Sequence, residues 1–187
     1  LMRDHFGIKD HFHISLNKQI PMEAGLAGGS ADGAALMRAL WKMYELPISL
    51  KKLALLGKKI GADVPFCIRN TCAQVSGIGE IITPFQLTCD VHVLLVKPKQ
   101  GVSTAQAFSR LDLQACTHPD TGRCRKALEQ GDFQGFCEAG KNTLEYSAFS
   151  MVPQLARIKQ HLYEIGLPFA LMSGSGSTIF ALSEKKD

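Results

Sequence analysis

The chain is poor in the residues and patterns that mark several function classes at once. It has one tryptophan and three tyrosines among 187 residues, and no apolar run long enough to cross a bilayer. The longest such run, residues 91–96, suits a buried strand. The first residues show no basic stretch followed by an apolar core, so an export signal is not expected and the cytoplasm is the expected location. The six cysteines, at 67, 72, 89, 116, 124 and 137, include no C-x-x-C pair, and no His-x₃₋₅-His stands near them. That spacing argues against structural zinc and a disulfide framework, and for reduced thiols. His5, His11 and His13 lack the acidic or cysteine partners that a metal cluster would need. There is neither an internal repeat nor a low-complexity segment.

The net charge is +4, and the lysines of residues 50–59 alternate with apolar residues at helical spacing. That pattern describes a solvated helix face rather than a nucleic-acid stripe, and nucleic acid is not expected as a partner. A mild positive field suits small polyanionic substrates.

What the chain does have is the run Pro21-Met22-Glu23-Ala24-Gly25-Leu26-Ala27-Gly28-Gly29-Ser30-Ala31. Its glycines let the backbone pass through positive φ and approach a ligand closely. The residues that follow, from Ser30 to Glu45, are expected to form a helix. Such a helix turns its unpaired N–H groups and positive dipole end toward the loop, which makes an anion cradle suited to a nucleotide phosphate. The run lacks the lysine of G-x-x-x-x-G-K-[ST] and does not fit G-x-G-x-x-G, so the two commonest nucleotide loops are excluded. A plain glycine turn capped by Ser30 or Asp32 stays open on this motif alone.

Three motifs in order carry a resemblance. The run 21–31 resembles the second motif of the GHMP kinases, P-x-x-x-G-L-x-[GS]-[GS]-S-[AS]. Gly61-Ala-Asp63-Val-Pro-Phe66 and Ser173-Gly174-Ser175-Gly176-Ser177-Thr178-Ile-Phe180 resemble segments of one branch, the 4-diphosphocytidyl-2-C-methyl-D-erythritol kinases of non-mevalonate isoprenoid synthesis. Lys18-Gln-Ile-Pro21, the segment starting at Leu46-Pro, Lys97-Pro98 and Gly101-Val-Ser-Thr104 extend it over nearly the whole chain.

The resemblance implies an α+β, two-lobed GHMP kinase fold. Its first lobe is like the second domain of ribosomal protein S5 and its second is ferredoxin-like, with ATP between them. The boundary is placed near Leu87, giving residues 1–87 to the ATP-binding domain and 88–187 to the C-terminal domain. Both are expected to be truncated: the chain opens inside a helix closed by Gly7, and the family carries a catalytic lysine on an earlier strand. On that expectation the piece is inactive alone.

In the implied reaction, ATP phosphorylates the C2 hydroxyl of a diphosphocytidyl sugar alcohol. Residues 21–31 and the loop Gly174, Ser175, Gly176, Ser177 and Thr178 hold the nucleotide. Ser30 serves phosphate or Mg²⁺, with a helix cap as its other role. Asp63 is the implied catalytic base or hydroxyl-orienting group, with a turn-capping role as its other reading. Phe108 stacks on the cytosine or else belongs to the core. Lys97, Ser103 and Thr104 are further candidates, and Asn142 matches a family position without a clear role. The assembly is expected to be a monomer or homodimer. Another GHMP kinase, of homoserine or mevalonate type, and a catalytically silent nucleotide-binding piece are the alternatives.

Periodicity adds strands at residues 11–16, 63–68, 73–77, 81–85, 91–97, 169–172 and 177–182. It adds helices at 50–60 (capped by Ser49), 103–110, 123–130, 133–140 and 153–165.

Overall fold

A computed structural model describes residues 1–184. The chain forms two compact units, Leu1–Ile20 with Ala27–Pro84, and Pro21–Leu26 with Phe85–Asp187.

The first unit is mostly helical. Helix α1 (Met2–Phe6) stops at Gly7, whose φ of 67° takes the left-handed turn expected of a closing glycine. Helix α2 (Gly28–Met43) begins two residues before the expected Ser30. Ala27 adopts the left-handed φ of 50° at the cap position, and Gly28 and Gly29 form the first turn. Ser30 is therefore not the cap. Helix α3 (Leu50–Gly57) starts where expected, with Ser49 Oγ accepting from Lys52 N at 3.3 Å.

Of residues 63–68, expected as a strand, all but Asp63 lie in helix α4 (Val64–Arg69). A short apolar run does not distinguish a buried strand from a buried helix by periodicity. Burial of Val64, Pro65 and Ile68 on one face fits the helix, and a proline in the first turn costs no hydrogen bond. That face packs with Met37 and Leu40 of α2 and Leu53 and Leu56 of α3. Asn70, at φ 46°, ends the helix.

Strands β1 (Ala73–Ser76) and β2 (Ile81–Pro84) make an antiparallel hairpin, with Ser76 opposite Ile81. At its tip Gly79 has φ 123°, and a Cβ there would stand 2.1 Å from Ala62 O. Residues 11–16, expected as a strand, are not one, because alternation needs a neighbouring ladder and β1 and β2 pair with each other. Phe12 alone of these reaches the core, edge-on to Tyr44.

The second unit carries a three-stranded antiparallel sheet in the order β3 (His92–Val96), β5 (Ile179–Ser183), β4 (Phe169–Met172). Helices α5 (Thr104–Ser109), α6 (Thr121–Gln130), α7 (Phe133–Ala139) and α9 (Gln154–Glu164) match expected segments. Asp120 and Asp132 cap α6 and α7 through their carboxylates. Helix α8 (Glu145–Met151) was not foreseen: its seven residues bury only Ser147 and Ala148, so no apolar stripe marks it. The core joins Val102 and Ala107 to Ala148, Val152, Leu155 and Leu162, and to Ala170, Met172, Ile179 and Ala181 of the sheet. The secondary structure is α+β, as expected.

Glu80 beside the hairpin tip accepts from Lys58 Nζ at 2.6 Å and from Ile78 N at 2.8 Å. The Lys58 ammonium, followed by backbone N–H groups, holds its carboxyl down to about 2 from an ordinary 4.5. The folded value lies below the unfolded one, so the stabilisation is full above pH 4.5 and lost as pH falls toward 2. Thermal melts of wild type and Lys58→Met are expected to differ most near neutral pH and to converge over that acid window. A gap unchanged by acid would refute the role of the pair.

Candidate functional site

The glycine-rich run divides between the two units. Its first half, Pro21–Leu26, belongs to the second unit and lies against the loop between β4 and β5. Ser177 N donates to Glu23 O at 3.4 Å and Thr178 N to Ala24 O at 3.1 Å. Ser173 Oγ donates to Gly25 O at 2.8 Å. Gly25 sits at φ 70°, and a Cβ on it would stand 2.0 Å from Ser173 O and 2.9 Å from Gly176 N. Only glycine permits that approach. Gly174 and Gly176, at φ 54° and 88°, turn the second loop beneath it.

The 173–178 loop closes on itself, with Ser173 N donating to Thr178 O and Gly176 N to Ser173 O, each at 2.9 Å. Ser175 Oγ meets Thr104 Oγ1 at 2.7 Å. Ser177 Oγ and Thr178 Oγ1 are fully buried and have no hydrogen-bond partner among the described residues. Buried hydroxyls without partners are costly, and they mark a place where another polar group completes the set.

Behind the loop stand three side chains. Asn142 Nδ2 donates to Met172 O at 2.8 Å and to Gly174 O at 2.7 Å. Glu145 Oε1 accepts from Met172 N at 2.8 Å, and its other oxygen pairs with Lys159 Nζ at 2.6 Å. Beside the loop, a cavity of about 520 Å³ is lined by Phe108, Leu113, His118, Asn142, Gly174 and others. Phe108 is 58% exposed, so it is not a core residue. Lys97 Nζ donates to Pro98 O at 2.9 Å.

Two exposed residues of the first half look elsewhere. Met22 is 77% exposed. Glu23, at φ 50°, sends its carboxylate over Gly101, where a Cβ would lie 2.7 Å from Oε2.

The second half of the run opens α2 in the first unit. Ala31 N bonds to Ala27 O at 2.9 Å, so the N–H groups of Gly28, Gly29 and Ser30 precede the helical ladder. Lys18 Nζ would stand 3.2 Å from a Cβ on Gly28, and it pairs with Asp32 in the first turns of the helix. Ser30 Oγ lies 3.9 Å from the Cβ position of Gly61, so the 61–63 turn adjoins the start of α2. Asp63 occupies the cap position of α4 but its carboxylate caps nothing and is exposed. Its negative charge, after burial, raises the Cys67 thiol.

The motifs thus form two groups, each inside one unit: residues 21–26 with 173–178, and Lys18, Gly28, Gly29, Ser30 and Asp32 with the 61–63 turn. Sequence reasoning had not found Thr104 against Ser175, the pairing of Lys18 with Asp32, or Glu145 with Lys159. Fourteen residues separate the partners in each of the last two pairs, and no local pattern signals such a contact. No three potential metal-ligating His, Cys, Asp or Glu residues cluster among the described residues.

Comparison with known proteins adds to this geometry. The model of the GHMP kinases N terminal domain matches residues 1–71, and that of the GHMP kinases C terminal domain matches residues 124–187. A protein of Staphylococcus haemolyticus is 42% identical over 186 residues, all of this chain and 66% of its own length. The 4-diphosphocytidyl-2-C-methyl-D-erythritol kinase of Bacillus cytotoxicus is 42% identical over 97% of this chain and 63% of its own. The chain therefore spans about two thirds of the length of these curated relatives. A solved 4-(cytidine 5'-diphospho)-2C-methyl-D-erythritol kinase superposes with a TM-score of 0.74 at 32% identity, over 90% of this chain and 60% of that one. A homoserine kinase from Cytophaga hutchinsonii reaches a TM-score of 0.71 at 16% identity, over 90% of this chain and 59% of that one, and shows the fold alone.

Gly25 and Gly29 make a controlled pair. A Cβ on Gly29 meets nothing within 4 Å, whereas one on Gly25 strikes backbone. Gly29→Ala is expected to change stability by less than about 1 kcal/mol. Gly25→Ala is expected to cost at least about 2 kcal/mol, in which strain at positive φ adds to the clash. Denaturant unfolding of both variants checks this, and equal effects would contradict the packing.

Proposed function

The chain belongs to the GHMP kinases, and from that premise we propose that it serves an ATP-dependent kinase acting on the C2 hydroxyl of 4-diphosphocytidyl-2-C-methyl-D-erythritol. The observation that carries the reading is the clasp of residues 23–25 on residues 173–178, with two buried hydroxyls, those of Ser177 and Thr178, that have no partner among the described residues. The relatives' names supply the substrate class.

On this reading the N–H groups of residues 25–29 bind the β- and γ-phosphates, helped by the positive end of α2. The loop of Gly174, Ser175, Gly176, Ser177 and Thr178, packed on residues 23–25, is the second nucleotide-binding segment of this reading. Lys18, held by Asp32, contributes positive charge at the start of α2. Phosphoryl transfer asks chiefly for positioning and charge stabilisation, which backbone amides and a lysine provide. Mg²⁺ fits the donor set as an ion carried mainly by substrate phosphates and water, with Ser30 Oγ as a protein oxygen. When bound, it neutralises phosphate charge.

Asp63 orients the attacking hydroxyl and takes its proton. A new bond then joins that oxygen to the γ-phosphorus while the bond to the β–γ bridging oxygen breaks, and ADP leaves. Phe108, exposed on a roomy cavity, offers a ring face to the cytosine. Six unpaired cysteines accord with work in the cytoplasm, on a small molecule, as a monomer or homodimer.

In a coupled assay of ADP release by the full-length protein, Asp63→Asn is expected to lower kcat by about a hundredfold or more, with KM for ATP changed by less than about twofold. Undiminished turnover would remove Asp63 from the mechanism. A substrate panel in which homoserine or mevalonate replaces the diphosphocytidyl sugar alcohol without loss of rate would overturn the substrate assignment.

A further inference from the structure

Two carbonyls and one amide of the strand-to-loop junction at residues 172–174 are held by side chains, not by the sheet. The Asn142 amide group donates to Met172 O and Gly174 O together, and its Oδ1 accepts from Leu144 N at 2.9 Å. Glu145 Oε1 accepts from Met172 N. Its second oxygen is fixed by Lys159 of α9, and the two side chains are 15% and 21% exposed. Lys159 also lies 6.0 Å from the centre of the Phe149 ring, which limits where its ammonium can go.

We propose that Asn142 and Glu145 are positioning residues that set the 173–178 loop, with Lys159 holding Glu145 in place. Every hydrogen-bonding atom of the Asn142 amide that these contacts use is spent on the backbone of residues 142–174, and none faces a ligand by necessity. Asn142 places the start of the loop, where Gly174 turns at φ 54°. Glu145 places the end of β4 one step earlier. The loop in turn carries Ser177 N and Thr178 N to the carbonyls of Glu23 and Ala24. A shift at Met172 or Gly174 therefore moves the segment that holds the first half of the glycine run. The functional consequence rests on the kinase reading above; the positioning itself does not.

The test uses Asn142→Ala, Glu145→Leu and the conservative Glu145→Gln, which keeps an acceptor for Met172 N but drops the charge. Hydrogen exchange is followed by mass spectrometry on peptides covering residues 170–179 of the nucleotide-free protein, alongside KM for ATP and kcat. Asn142→Ala and Glu145→Leu are expected to speed exchange in that segment by about tenfold or more, with peptides from α6 unchanged. KM for ATP is expected to rise between about tenfold and a hundredfold, as for a displaced binding group, with kcat falling less. Glu145→Gln is expected to restore slow exchange at Met172 and most of the affinity for ATP. Exchange at residues 170–179 that matches wild type in Asn142→Ala and Glu145→Leu would overturn the proposal, as would a general rise in every peptide. Failure of the wild-type protein to bind ATP would refute the kinase reading while the exchange data still decide the positioning.

Discussion

Hydrogen bonds from Ser173 Oγ, Ser177 N and Thr178 N to three successive carbonyls, those of Gly25, Glu23 and Ala24, tie together segments about 150 residues apart in the chain. Closing so long a loop has an entropic cost that grows slowly with length, so a few well-made bonds and good packing can sustain it. The condition is steric: Gly25 must lie against the carbonyl of Ser173 and the amide of Gly176 with no Cβ between them. Because of this contact the first half of the glycine run folds with the second unit, although its sequence precedes α2 of the first.

The second half of the run is governed by electrostatics. Helix α2 is sixteen residues long, and its N-terminal groups carry roughly half a positive charge. Lys18 stands next to Gly28, and Asp32 anchors it from within the helix. Both partners are about a third exposed or less, so the pair contributes at most about 1 kcal/mol to stability. Its consequence is placement: a flexible four-carbon stem is fixed with its ammonium at the end of the helix. The 61–63 turn is fixed on the same side by the β1–β2 tip, where Gly79 touches Ala62 O and Glu80 is bonded to Lys58. The exposed carboxylate of Asp63 is thereby set on a supported turn between two helices, α3 and α4.

Local chemistry was legible where a single residue decides the outcome. Gly7 ends α1, Ser49 caps α3, and Gly174 and Gly176 turn the chain between β4 and β5. Glycine has no Cβ to clash at positive φ, and serine at a cap bonds its own neighbours, so both signals need no distant partner. Reading failed where distant residues decide. The alternation of residues 11–16 has no partner strand among the described residues, and residues 64–68 of the expected strand at 63–68 became helix because Val64 and Ile68 fit between α2 and α3. The start of α2 moved from Ser30 to Gly28 because Ala27 takes up the left-handed turn.

The same division holds for the site. The order of residues alone determined that a glycine run precedes a helix, that a second glycine loop lies between two strands, and that an aspartate stands in a Gly-Ala-Asp-Val-Pro turn. These are statements about backbone freedom and residue chemistry, both written within a few positions. Tertiary structure alone decided that Gly25 meets Ser173, that Asn142 and Glu145 carry the junction at Met172, that Thr104 meets Ser175, and that the hydroxyls of Ser177 and Thr178 are buried without a partner among the described residues. Each of these depends on where strands and helices far apart in sequence come to rest, because hydrogen bonds and burial act over a few ångströms of space, whatever the separation along the chain.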